Sequence, residues 1–329
     1  MRRVAAAALV LAACGDNGPA CGHVEVLVGS RNVWSPMFAV DDRFIYYADY
    51  DVDGFGTQFL LRASRDGGGL QALSQIQYYE MFGTGLTYDD TNLFWTASRE
   101  GDGLGYALYA SPLGGGQFPI ADLPACVPFG VTTSSTEVFA GMAGCDAFPA
   151  RVTAVDKATN VERIAWEAGM NDGDVRTLAF AGDTLFIGTS IALFAVRPSG
   201  TEVITAGNAV RHFEVHDDLL YYSEEHDGIF RMPVAGGARE RLYTFQPTGE
   251  RQGVFSIEGD DLYVAEPPQM LFMTLTSRTP SVVVNDVGAV SEIVARDGYA
   301  YWSSLVFANA PGGLDTFSGA IARVARPCD

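Results

Sequence analysis

The chain has 329 residues, of which 48% are hydrophobic, 12% aromatic and 19% charged. That composition can bury a full core and excludes a disordered chain. Asp and Glu number 40 against 21 Lys and Arg, a formal charge of -19. An acidic surface repels phosphate backbones and anionic head groups, which sets aside nucleic acid and electrostatic membrane binding. The longest apolar stretch lies near the N-terminus and is too short to span a bilayer.

That stretch is read as an address rather than as structure. Arg2 and Arg3 form a basic start, and residues 4–13 form a short apolar segment, the layout of a secretory signal. Leu11-Ala12-Ala13-Cys14 then resembles the lipobox of bacterial lipoproteins. The resemblance implies cleavage before Cys14 and lipidation there, so that residues 1–13 are the signal peptide. An ordinary secretory signal cut after Ala13 stays open as the alternative. Several acyl chains make a lasting anchor, since each buried CH₂ contributes about 0.8 kcal/mol. Residues 14–22 have the Gly-rich, polar composition of a flexible tether. Gly15 follows the cysteine in place of the Asp that holds such proteins at the inner membrane, so the resemblance favours the outer membrane. The predicted address is the cell envelope, with membrane contact through the lipid alone.

From residue 23 onward one short pattern recurs: a polar turn, then an apolar-aromatic pair. It reads Asp41-Asp42-Arg43-Phe44-Ile45-Tyr46-Tyr47 at first and Asp89-Asp90-Thr91-Asn92-Leu93-Phe94-Trp95 next. Weaker copies place anchor aromatics at Phe139, Phe186, Tyr221, Tyr263 and Tyr301. Their mean spacing of about 42 residues matches a four-stranded propeller blade. The β-branched and aromatic texture excludes helical repeats of similar length. Past each anchor comes a second apolar strand and a Gly turn, as in Phe59-Leu60-Leu61-Arg62-Ala63 before Gly67-Gly68-Gly69, and then an outer strand such as Arg241-Leu242-Tyr243-Thr244-Phe245.

Tyr46-Tyr47-Ala48-Asp49, Phe94-Trp95-Thr96-Ala97, Tyr221-Tyr222-Ser223-Glu224 and Tyr301-Trp302-Ser303-Ser304 resemble the Tyr-Trp-Thr-Asp repeats of lipoprotein-receptor propellers and of bacterial surface lipoproteins with such blades. The receptor family has six blades and this chain has seven repeats, so no ligand-binding residue carries over. The fold class expected is all-β, with residues 23–329 forming a seven-bladed β-propeller. The seventh repeat has its third strand at residues 320–325 and no fourth. The alternating run at residues 24–28 has no repeat of its own, and it is predicted to supply the missing outer strand and close the ring. Eight irregular blades or an open solenoid remain as alternatives.

Besides Cys14 there are four cysteines, an even number for an oxidising compartment. Cys126 and Cys145 lie symmetrically about the turn Ser134-Ser135-Thr136, which places them opposite each other across a hairpin, within disulfide range. Cys21 and Cys328 flank the two strands of the proposed closure and are expected to pair there. Four reduced thiols are the other reading.

Candidate chemistry is sparse. Asp49, Asp51 and Asp53 before Gly54 resemble the first half of an EF-hand-like calcium loop, but Leu60 stands where a bidentate Glu belongs. A solvated acidic loop explains the same residues, so calcium is the one ligand considered and no cofactor is required. His212 and His216 share a strand face but sit about 13 Å apart, too far to hold one ion together. His216 and the Glu224-Glu225-His226 segment could meet across a hairpin, but a surface hydrogen-bond cluster is the favoured explanation. Nucleophile elbows, H-E-x-x-H, C-x-x-C, Walker and G-x-G-x-x-G motifs are absent, and no catalytic residue is assigned. The function expected is a monomeric, non-catalytic binding or scaffold module for an envelope protein or glycan. The alternative is a channel-centred propeller enzyme of the metal-dependent lyase or lactonase type, which carboxylates and a histidine converging at the channel would favour.

Overall fold

The computed structural model describes residues 23–50, 58–76, 85–98, 105–145, 148–246, 253–285, 287–309 and 315–327. These form an all-β, seven-bladed propeller, each blade a four-stranded antiparallel sheet, and no helix occurs among them. Blades 2 to 6 each use four strands consecutive in the chain. Their innermost strands are Leu86–Tyr88, Pro128–Thr133, Val175–Ala181, Val210–His216 and Phe255–Glu258.

Blades 7 and 1 share one strand. Val24–Val40 begins as the outer strand of blade 7 and ends as the inner strand of blade 1, so that seven strands are hydrogen-bonded in one run. Its first part pairs with the third strand of blade 7, Asp315–Ala325: Val24 with Val324, Glu25 with Arg323 and Val26 with Ala322. Its last part pairs with Phe44–Tyr50: Ala39 with Tyr46 and Val40 with Ile45. Register shifts between Val26 and Val28, Val28 and Arg31, and Val33 and Phe38 mark where it changes sheets. Bulges bend and twist a strand, which lets one segment serve two blades. The N-terminal closure expected from residues 24–28 is therefore present.

The seam is packed and charged as well as paired. Tyr301 and Ile321 of blade 7 join Phe38, Val40, Ile45 and Tyr47 of blade 1 in one buried cluster. Arg323 donates from Nε and Nη2 to Glu25 Oε2 at 2.9 and 2.7 Å and from Nη1 to the Arg65 carbonyl at 2.8 Å. Arg65 in turn donates to the Tyr301 hydroxyl at 3.0 Å and ion-pairs with Asp297, while Arg296 pairs with Asp42. Three guanidinium groups thus bridge the first and last repeats along several directions, a geometry that suits Arg better than Lys.

All seven anchor aromatics are buried. Each second strand places its aromatic in the core between blades, where it packs against the next repeat; Phe186 and Tyr222, for example, share a cluster. Acids at the end of the same motif are buried too, and they serve the loops. Glu224 is fully buried and accepts from Asn208 at 2.8 Å and Arg239 at 2.7 Å. Glu266 accepts from the Tyr243 hydroxyl at 2.6 Å. Satisfying a buried carboxylate in this way removes most of the cost of its desolvation.

Cys126 and Cys145 form a disulfide with Cα atoms 5.6 Å apart, as the symmetry about their turn predicts. Cys14, Cys21 and Cys328 lie outside the described residues.

Deleting residues 1–31 should expose the edge of the Asp315–Ala325 strand and open the seam. The expected outcome is a lower midpoint of thermal unfolding together with self-association on size-exclusion chromatography, because an unpaired edge recruits other chains. A truncated chain that stays monomeric with an unchanged midpoint would contradict the closure.

Candidate functional site

The strand pairings place one inner-strand residue opposite each anchor aromatic. Going round the ring from blade 1 these are Ala39, Thr87, Thr132, Ala179, Glu214, Ser256 and Val294. Six are small and neutral; blade 5 alone supplies an acid. One step further along the inner strands, His212 pairs with Ser223 and Glu292 with Ser303, the same level of blades 5 and 7. At the end beside the turns, His216, Glu258 and Arg296 occupy matching places in blades 5, 6 and 7. At the first two levels, charge among the described residues is thus confined to blades 5 and 7, whereas at the turn level Asp41 and Asp89 carry it to blades 1 and 2 as well. A repeat fold needs its recurring residues to stand, so departures confined to one sector are where function is sought.

The side chains meet in space. His212 Nδ1 lies 3.5 Å from Glu292 Oε1, and its Nε2 lies 3.7 Å from Glu214 Oε1. His216 Nε2 lies 3.4 Å from Glu214 Oε2, which also accepts the Ile257 backbone N–H at 2.7 Å. The His212 ring stands edge-on to Phe255 of blade 6, with centroids 5.0 Å apart. Exposure falls from 40% at the His216 side chain to 13% at His212 and is 24% at Glu292, so the cluster runs from the mouth along the wall.

Environment drives the two carboxylates apart. Burial, aided by the nearby Glu214 charge, pushes Glu292 up to about 7 despite His212 beside it. Burial also opposes ionisation of Glu214, but the facing His212 and His216 imidazoles outweigh it and hold this carboxyl below its ordinary value. Burial disfavours the charged form of His212 as well, yet Glu292 and Glu214 on either side raise its pKa. Glu214 is the main cause of the upward shift at His216. Two carboxyl groups displaced in opposite directions around one imidazole are the arrangement used for acid–base work. A metal would need lone pairs that converge. Here the two nitrogens of His212 face different carboxylates, and among the described residues no set of three or more His, Cys, Asp or Glu is placed to hold an ion.

Sequence reasoning missed this cluster. It measured His212 against His216 along their own strand and passed over Glu214 between them. The His212-x-Glu214-x-His216 alternation, which puts all three on one strand face, was the available signal. His216 and the Glu224-Glu225-His226 segment do not meet across the hairpin. The antiparallel hairpin pairs His216 with Leu219 beside the turn and Glu224 with Val210 at the far end, and His226 instead lies 3.7 Å from Glu225. Of the calcium candidates, Asp49 is 95% buried and pairs with Phe59 and Val33, while Asp51 and Asp53 lie outside the described residues.

A second feature lies on the opposite face of the disc from the inner-strand turns. Between blades 3 and 4 an open cleft of about 620 Å³ is lined by Cys145, Phe148, Ala168, Met170 and Asp174 among others. Phe148 and Met170 are exposed, with Val127 and Ile191 exposed nearby in the chain segments that enter and leave it. The disulfide holds one wall, and Asp174 fixes it to the other by accepting the Gly144 N–H at 2.9 Å.

No protein-family model matches this chain, and no curated protein matches its sequence. Solved structures share its fold. An oligogalacturonate lyase from Vibrio parahaemolyticus superposes with a TM-score of 0.62 at 12% identity, covering 92% of this chain and 93% of that one. A puromycin-hydrolysing peptidase from Mycobacterium tuberculosis gives 0.62 at 13% identity over 94% of this chain, which spans 53% of the peptidase. A computationally designed protein gives 0.58 at 10% identity, covering 91% and 99%. At such identities the likeness establishes architecture alone.

The pKa directions fix a pH dependence. The raised groups, Glu292 and His212, contribute stability that is present at acid pH and is lost as pH rises, for Glu292 between about 4.5 and about 7. Lowered Glu214 works oppositely, and its contribution is lost as pH falls below about 4.5. Between about pH 5 and about pH 7 the wild type should therefore lose stability, on the order of 1–3 kcal/mol from this site. Glu292→Gln, a mimic of the neutral acid, should lose less over the same range when both are followed by thermal unfolding. Equal losses in the two proteins would refute the assignment.

Proposed function

We propose that this chain is a lipid-anchored bacterial envelope protein whose propeller, built of degenerate Tyr-Trp-Thr-Asp-like repeats, is a binding module for a protein or glycan partner. The cleft between blades 3 and 4 is the observation that carries this reading. Exposed Phe148 and Met170 stand beside Asp174, the one carboxylate among the described lining residues, above small residues, and a disulfide braces the wall. Exposed apolar side chains gathered at a concave surface and ringed by polar groups favour recognition, and a braced wall lowers the ordering cost of binding. Met and aromatic side chains are the types over-used at such surfaces. The anchor rests on Arg2, Arg3 and the Leu11-Ala12-Ala13-Cys14 motif.

A second reading, a channel-centred enzyme of the lyase or lactonase type, gains from the convergence of His212, Glu214 and Glu292 on the inner wall. Propellers assemble catalytic sites from separate blades in this way. An oligogalacturonate lyase and a peptidase are among the proteins of similar fold. Incubating the purified protein with oligogalacturonate and with lactones, with and without added divalent metal, tests it. Turnover abolished by Glu214→Gln supports the enzyme; no turnover under any condition removes it.

For the binding reading, crosslinking in envelope extracts should recover a partner or glycan with wild-type protein. Phe148→Ala combined with Met170→Ala should reduce that recovery at least about tenfold, the loss of two contact side chains at a concave site. Undiminished capture by the double variant would place recognition elsewhere. Cys14→Ser should move the protein from the membrane to the soluble fraction; membrane retention would reject the anchor.

A further inference from the structure

Four titratable groups on the inner wall touch in file. Glu292 meets one nitrogen of His212 at 3.5 Å, the other nitrogen meets Glu214 at 3.7 Å, and Glu214 meets His216 at 3.4 Å. Acid and base alternate along this line. Each member can take a proton from one neighbour while releasing one to the next, since imidazole carries both a donor and an acceptor nitrogen. The separations are a few tenths of an ångström beyond a hydrogen bond that transfers a proton, a gap that a small rotation of either ring closes.

The surroundings isolate the file. Arg211, next to His212 in sequence, is turned away to pair with Glu225. Arg296 is engaged by Asp42 and by the Tyr88 hydroxyl. Glu258 accepts the Gly298 backbone N–H at 2.8 Å and acts on His216, as Asp217 does, only through its charge. From blade 6, Ile257 N–H and the Ser256 hydroxyl fix Glu214, and the Phe255 ring backs His212. What remains for the four groups to exchange protons with is one another and, at the 40%-exposed His216 and the 24%-exposed Glu292, solvent.

We infer that Glu292, His212, Glu214 and His216 form a single proton relay that runs from solvent at His216 to the Glu292 carboxyl, which is itself partly open at the inner wall. Its ligand is the proton, and holding it links the inner strands of blades 5 and 7 across blade 6. The inference is independent of the cleft and of any partner bound there. Groups coupled in this manner titrate as a set, with midpoints that belong to the set rather than to one residue.

Carbon-bound ring protons of His212 and His216 report the coupling directly when followed by NMR across a pH titration of the intact protein. In the wild type the His212 signal should move in two steps. Glu292→Gln should collapse these to one and lower the midpoint by about one unit, the size expected on losing a facing carboxylate. It should also move His216, which Glu292 does not touch, by a smaller amount in the same direction. Glu214→Gln should uncouple the two histidines, so that each titrates in one step. If that variant fails to fold, the response of His216 to Glu292→Gln decides alone. Glu258→Gln serves as the control, shifting His216 but leaving His212 in place. A His216 curve unchanged by Glu292→Gln overturns the relay. So does a His212 curve that shifts as much in Glu258→Gln as in Glu292→Gln, since that would be a general field.

Discussion

Antiparallel pairing of residues 24–28 with the last strand of the chain is the contact on which everything else depends. A ring of blades has no interior edges only while it is closed, and an unpaired outer strand would leave a row of backbone donors and acceptors open to other chains. The Val24–Val40 strand solves this by belonging to two blades, with its register shifts absorbing the change of sheet. The Arg323–Glu25 and Arg65–Asp297 contacts and the Tyr301–Phe38 packing then hold the seam in one alignment. Because the seam fixes blade 7 against blade 1, it also fixes where Glu292 sits relative to His212, two blades round the ring.

Repetition sorts residues by what the fold requires. An aromatic side chain on the second strand recurs in all seven blades, and a small residue opposite it recurs in six. Blade packing accounts for both. Glu214 breaks the pattern at a position where Ala, Thr, Ser or Val suffices, and His212 and Glu292 stand one level away. A buried acid costs stability unless it is satisfied, so a residue that packing does not ask for must be held by partners. Glu214 is so held by a backbone N–H and two imidazoles. Glu224 and Glu266 are buried for a different reason: each anchors loop groups of its own or the neighbouring blade.

Two regions of distinct character therefore occupy one rigid disc. The inner wall of blades 5 to 7 is polar, enclosed and proton-active. The cleft between blades 3 and 4 is open, has Phe148 and Met170 exposed at its rim and is braced by a disulfide. Four-stranded blades suit such a division of labour, since loops and wall positions can change without disturbing the packed faces between sheets.

Much of this was legible in the chain itself. The spacing of Tyr46, Phe94, Phe139, Phe186, Tyr221, Tyr263 and Tyr301 determined the number of blades, because each repeat is one hairpin-built unit of local pairing. The alternation at residues 24–28 determined the closure by supplying the one strand the last repeat lacked, and the symmetry of Cys126 and Cys145 about a turn determined their bond. The contact that completes the relay, Glu292 with His212, was decided by tertiary structure alone. Glu292 is 80 residues from His212, and what brings them to 3.5 Å is the curvature of the closed ring. Pairing within a hairpin follows from chain neighbours counted across a turn. Contact between side chains two blades apart follows from how far each packed sheet rotates against the next, which only the assembled core sets.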